Sequence, residues 1–277
     1  MGSSFAIGKV GLQYFSPFFL VAMRFILAGL VMAAMVRQYP HPKQLKPWLQ
    51  IGLIGVFQTA GVMGFIFLSL QTISAGESSI LTFINPLLVV ILARVILGTH
   101  YKGRQWLGVV VGILGVAVTL GGTLSFHRGT IYGLLGAFSW AIATILVKKW
   151  GGALNIWVLT AYQMLAGGLV LLVASLVLEP IRASFTVNSI MIVVWLAIMA
   201  SVVQFGIWFY LLQHGDPGRT SAFLFLAPFF GVLSGWVILN EPIHLTVLFG
   251  GILIAIGIVL VNYQPGGPAI TTAEGDP

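Results

Sequence analysis

The chain has 277 residues, of which 58% are apolar and 7% charged, whereas an ordinary soluble domain carries about a quarter charged residues. So few charges cannot solvate the surface of a 29.8 kDa globule, which excludes a water-soluble fold and makes a lipid bilayer the solvent. The net charge of +7 comes from Lys and Arg placed singly or in small groups between apolar runs, the pattern of membrane topology rather than of a nucleic-acid surface.

A transmembrane helix needs about 20 mostly apolar residues. Runs closed by Pro, Gly and charge predict a partial span at 2–12, then spans at 17–36, 47–71, 75–98, 104–121, 130–150, 155–178, 188–213, 218–239 and 245–263. Ser16-Pro17, Lys46-Pro47 and Asp216-Pro217 each place proline at a first helical position, where its missing N–H costs nothing. The first run covers only about 18 Å at 1.5 Å per residue, short of a roughly 30 Å hydrocarbon core. Its upstream half is therefore expected to be missing, or Met1-Gly2-Ser3-Ser4 to be the remnant of an expression tag. Counting alternate sides gives Arg37, Lys43, Lys46, Arg94, Lys102, Arg104, Lys148, Lys149 and Arg219 on one side, against Lys9, Arg128 and Arg182 on the other. The positive-inside rule then places both termini in the cytoplasm. The tail from Gln264 to Pro277 has the composition of a disordered segment. With no cysteine, disulfide and thiolate chemistry are excluded.

The second half repeats the first. An offset of 142 residues sets Gly64 on Gly206, Phe67 on Phe209, Gly76 on Gly218, Ser79 on Ser221, Pro86 on Pro228, Gly108 on Gly250 and Gly115 on Gly257. Earlier in each half an offset of 139 sets Lys9 on Lys148, Ala22 on Ala161 and Gly29 on Gly168. Collinear Gly and Pro matches carry weight because these residues determine backbone geometry. Residues 1–122 and 129–263 form the two units, with 264–277 as a tail. Five helices per unit is an odd number, so the second copy enters from the opposite face. Inverted repeats of this kind accompany transporters that open a central site to alternate sides.

Three segments resemble the drug/metabolite transporter superfamily in its EamA-type branch. Gly2-Ser3-Ser4-Phe5-Ala6 through Lys9 is similar to that family's first helix, with Met1 in the place of a usual tryptophan. Ser16-Pro17-Phe18 through Arg24-Phe25 and Ala28-Gly29 is similar to its second. The end of each repeat carries small residues, a proline and a Leu-Gly-Glu-like corner, here Ser78-Ser79, Pro86 and Leu97-Gly98, then Ser221-Ala222, Pro228 and Leu239-Asn240-Glu241. Thr99 stands where the first corner usually has glutamate. The resemblance implies export of metabolites, commonly amino acids or related compounds, with a site among helices 1, 3, 4, 6, 8 and 9.

Polar side chains at membrane depth are functional candidates because they are costly there unless paired or hydrated. Ser4, Gln58, Thr82, Asn85, Trp140, Thr144, Gln204 and Trp208 are expected to line the site. Thr82 with Asn85, Gln204 with Trp208, and Trp140 with Thr144 each share a helix face by their spacing. Asn85 precedes Pro86, which frees a carbonyl one turn earlier and predicts a kink. Arg24 and Glu77 are expected to pair near the non-cytoplasmic side, as a gate, a clamp for a substrate carboxylate or a structural ion pair. Gly108-xxx-Gly112 and Gly231-xxx-Gly235 predict close helix packing. The five histidines fall in loops or at helix ends without metal-ligand spacing, and no nucleotide fingerprint is present. The expectation is an all-α carrier of ten transmembrane helices in two inverted five-helix repeats, with the first helix truncated. It needs no cofactor or metal, binds a small metabolite and the lipid bilayer but no nucleic acid, and acts as a monomer or homodimer. A membrane enzyme acting on lipid intermediates and a passive channel or structural subunit are the rivals.

Overall fold

The computed structural model describes residues 2–98, 100–119, 127–207 and 226–262. Within them the chain is helical: α1 (Ser3–Gly11), α2 (Pro17–Met35), α3 (Leu45–Ser69), α4 (Ala75–Leu97), α5 (Gly103–Thr119), α6 (Arg128–Trp150), α7 (Ile156–Leu178), α8 (Val187–Ile207), α9 (Leu226–Leu239) and α10 (Leu245–Asn262). The helices α2, α3, α4, α6, α7 and α8 are long and apolar enough to cross a membrane, while α5, α9 and α10 are apolar but shorter. Their outer faces expose Leu, Ile, Val and Phe, as lipid contact requires.

Local chemistry sets several ends. Ser16 precedes α2 in extended conformation with Pro17 at its first position. Pro47, in contrast, falls inside the first turn of α3, because that helix begins at Leu45. Asn155 accepts from the amides of Trp157 and Val158 to start α7, and Thr186 forms a capping box with Ser189 before α8. Residues Gly98 and Asn240 close α4 and α9 with positive φ of 67° and 52°, the left-handed turn that Gly and Asn tolerate best. The Asp216-Pro217 boundary and the tail lie outside the described residues.

Helices are not regular throughout. A π-helical turn runs over Val56–Gly61 in α3 and another over Ile198–Val203 in α8. Helix α4 breaks at Phe83–Ile84, between segments Ala75–Thr82 and Asn85–Leu97, where Pro86 cannot donate to the preceding turn.

Packing joins the halves rather than separating them. The helix pairs α2 with α7, α4 with α9 and α5 with α10 pack together, as do α3 with α6, α1 with α8, α4 with α6 and α1 with α9. Bare glycine backbones make the closest crossings. A Cβ added at Gly108 would stand 2.6 Å from the Gly257 carbonyl, and one at Gly115 2.8 Å from that of Gly250. Likewise Gly29 abuts the backbone of Leu165, and Gly168 that of Ile26. The glycine stripes thus serve packing inside one chain, Gly112 against Leu87 and Gly231 against Ser79.

These crossings predict a graded response to side-chain bulk. Gly257→Val should lower stability by about 1–3 kcal/mol through overpacking. Gly52→Ala, whose Cβ meets nothing within 4 Å, should be neutral or gain up to about 1 kcal/mol; melting in detergent followed by tryptophan fluorescence checks both.

Candidate functional site

The buried charge of α2 decides how the helices around it are held. Arg24 is 2% exposed, and its Nε donates to Ser201 Oγ at 3.0 Å while Nη2 donates to the Ala200 carbonyl at 2.8 Å. Its guanidinium also lies 4.7 Å from the centre of the Phe25 ring, a cation–π distance. Both acceptors belong to the π-helical turn of α8. A π turn widens the ring of backbone bonds and leaves carbonyls without regular partners, and Ser201 Oγ covers another by donating to the Leu196 carbonyl at 3.1 Å.

The other π turn is held from the other half by a bond between side chains alone. Gln163 on α7, 3% exposed, accepts from Thr59 Oγ1 at 2.7 Å, and Thr59 lies in the π turn of α3. Gln163 stands 139 residues after Arg24, and Ser201 142 after Thr59, the offsets at which the two halves match.

The expected Arg24–Glu77 pair does not form. Helix α2 packs on α7, α8 and the second part of α3, so Arg24 is turned toward α8 and away from Glu77. Glu77 lies in the first turn of α4, its amide donating to Ser74 Oγ at 3.0 Å, within electrostatic range of Lys9, His127, His244 and Glu241. Glu241 forms an ion pair with Lys9. It accepts from Lys9 Nζ at 2.7 Å and, with both oxygens, from the Ala75 amide at 3.1 and 2.9 Å. Lys9 also donates to the Ile73 carbonyl at 2.8 Å. The ends of α1 and α9 are thereby tied to the start of α4.

The remaining candidates fall into separate groups. Trp140 on α6 meets Phe83 edge-on at 5.4 Å, and Phe83 lies 6.4 Å from Phe5, so three rings run from α6 through the break in α4 to α1. Thr82 and Thr144 do not present free hydroxyls: each bonds the carbonyl four residues back, Ser78 at 2.8 Å and Trp140 at 2.9 Å. Asn85 is 8% exposed beside the break. Gln58 and Gln204 are half-buried, Gln58 in the α3 π turn and Gln204 just after that of α8; the Oε1 of Gln204 is buried without a hydrogen-bond partner. Ser4 is half-buried on α1 next to Phe5. Trp208 lies outside the described residues. Gln163, Ser201 and Phe83 were not anticipated as site residues: Ser201 lies in the α8 π turn and Phe83 in the α4 break, while Gln163 is a buried polar side chain of regular α7. Among the described residues no three His, Asp or Glu side chains converge as a metal site would require.

The comparisons follow from this architecture. The EamA-like transporter family model matches residues 1–121 and again 127–263. The chain belongs to the EamA-like transporter family. It is 29% identical to a WAT1-related chloroplast protein of Arabidopsis thaliana, over 96% of this chain and 67% of that one. It is 26% identical to the uncharacterized transporter YvbV of Bacillus subtilis, covering 94% and 87%, and 25% identical to the uncharacterized inner membrane transporter YedA of Escherichia coli, covering 95% and 90%. A crystal structure 20% identical in sequence superposes with a TM-score of 0.67 over 93% of this chain and 91% of that one, a likeness of fold alone. The protein is a multi-pass membrane protein of a transporter family.

The two π-turn clasps should differ in strength. Arg24→Ala removes charge-assisted bonds to the Ala200 carbonyl and the Ser201 hydroxyl and should cost about 2 kcal/mol, Gln163→Ala about 1. Thermal melting of the two variants in one detergent checks the order, Arg24→Ala lying lower.

Proposed function

We propose that the protein is a secondary carrier for small metabolites, amino acids or related compounds, which it exports across the inner membrane by alternating access. The observation that carries this reading is the repetition of irregular backbone in equivalent places. The π turns at Val56–Gly61 and Ile198–Val203 lie 142 residues apart, and their clasps at Arg24 and Gln163 lie 139 apart. Crossings exchange in the same sense, since Gly108 on Gly257 becomes Gly250 on Gly115, and Gly29 on Leu165 becomes Gly168 on Ile26. Such reciprocity supports ten spans arranged as two inverted five-helix repeats, 1–122 and 129–263, about a pseudo-two-fold axis in the membrane plane. Two copies of opposite sense can exchange conformations, and the site between them then opens to each side in turn.

The site of this proposal lies at the centre of the helices α1, α3, α4, α6, α8 and α9. The rings of Trp140, Phe83 and Phe5 supply an apolar wall, while Gln58, Gln204, Asn85 and Ser4 supply the few polar groups that fix orientation in such pockets. Trp208 belongs to the same face as Gln204 by sequence spacing. Thr82 and Thr144 serve the backbone of their own helices, and Arg24 serves the α8 turn instead of a substrate carboxylate. Both termini are cytoplasmic in this reading, in accord with the Lys and Arg count.

Vesicles containing the purified chain test the proposal. A carrier shows saturable uptake and counterflow of amino acids or related metabolites; conductance without counterflow marks a channel, and a chemically altered product marks an enzyme. Trp140→Ala should lower kcat/KM for uptake at least about ten-fold by removing the α6 ring of the run.

A further inference from the structure

We infer that the Lys9–Glu241 clasp is a lock that shuts one end of the transport pathway and that the sequence does not repeat at the matched positions of the other half, so that the chain rests with the opposite end open. The inference rests on the alternating-access reading. The lock joins three elements at one end: Lys9 at the close of α1, Glu241 just past α9, and the Ile73–Ala75 entry to α4. Gly129, at the start of α6, abuts Thr72 and Ile73 at this same end. Helix α6 then runs away, so Lys148, twenty residues into it, lies roughly 30 Å off at 1.5 Å per residue.

Apart from its lysine, the lock does not recur at the equivalent sequence positions of the other half. Lysine alone is kept, Lys9 becoming Lys148. The carboxylate is lost, since Glu241 corresponds to Thr99. The space is lost too: an added Cβ at Gly235 would stand 2.5 Å from Glu241 Oε2, and Gly235 corresponds to Ala93. The donor is lost because Ala75, whose amide binds the carboxylate, corresponds to Pro217, which has no N–H. Finally Glu77 corresponds to Arg219, so the equivalents leave two cations and no carboxylate. Four independent changes at matched positions all remove the same device. Charge-assisted bonds from Lys and a backbone amide hold the locked end.

The absence of cysteine allows paired spin labels on an otherwise unaltered chain. Labels at Gln71→Cys and Ile243→Cys, both exposed at the locked end, should give one short, narrow distance distribution by pulsed electron resonance in vesicles. Glu241→Gln and Lys9→Met should each raise a longer-distance population several-fold. The double change Ala93→Gly with Thr99→Glu, which offers Lys148 a carboxylate and room for it, should raise it as well by stabilising closure of the opposite end. Unchanged distributions in Glu241→Gln and Lys9→Met, with both eluting as folded protein, overturn the lock. If those two do not fold, the double change decides alone, and an unaltered distribution there overturns it. Counterflow by the parent chain is read separately, so loss of the carrier reading leaves a distinct signature from loss of the lock.

Discussion

Every backbone N–H and C=O within a bilayer must find its partner inside the protein, because lipid offers none. A regular helix meets that demand by itself; a helix that bulges or breaks does not. The two π turns of this chain therefore define what must pack around them. In α8 the guanidinium of Arg24 and the hydroxyl of Ser201 take up the Ala200 and Leu196 carbonyls. In α3 the turn is met by the Thr59 bond to Gln163. Position and contact of α2 and α7 follow from this service, and bare glycine at their crossing lets the backbones approach closely enough to give it.

Irregular backbone retained at such expense of order points to use. Bulged helices carry two packings close in free energy, the property a bistable element needs. The π turns lie beside Gln58 and Gln204, and the break in α4 lies beside Asn85 and Phe83. Phe83 of that break carries the aromatic run from Trp140 to Phe5. At the glycine-lined pair of α5 and α10, Gln105 Nε2 donates to the Val261 carbonyl at 3.2 Å.

Symmetry in the chain is approximate, and its departures are informative. Arg24 and Gln163 do equivalent work with unequal chemistry, one charged and one neutral. Glu241 binds Lys9 and the Ala75 amide, while the sequence has Thr99, Ala93, Pro217 and Arg219 at the matched positions of the other half.

Composition and run length determined from sequence alone that the chain is a bundle of apolar helices in lipid, because the hydrophobic demand of a bilayer acts on each span separately. Helix ends such as Ser16-Pro17 and the kink before Pro86 were legible for the same local reason, and the collinear Gly and Pro residues showed the internal repeat. Partner choice was not legible. Arg24 has a sequence setting compatible with a pair to Glu77, yet it meets Ser201, 177 residues away, because helix rotation and neighbour order decide which face a buried charge addresses. The π turns were equally hidden: Val56–Gly61 and Ile198–Val203 have no proline to mark them, and a widened turn is stabilised by tertiary hydrogen bonds rather than by its own residues. Sequence set what each helix must bury, and only the packed structure decided which groups satisfy one another.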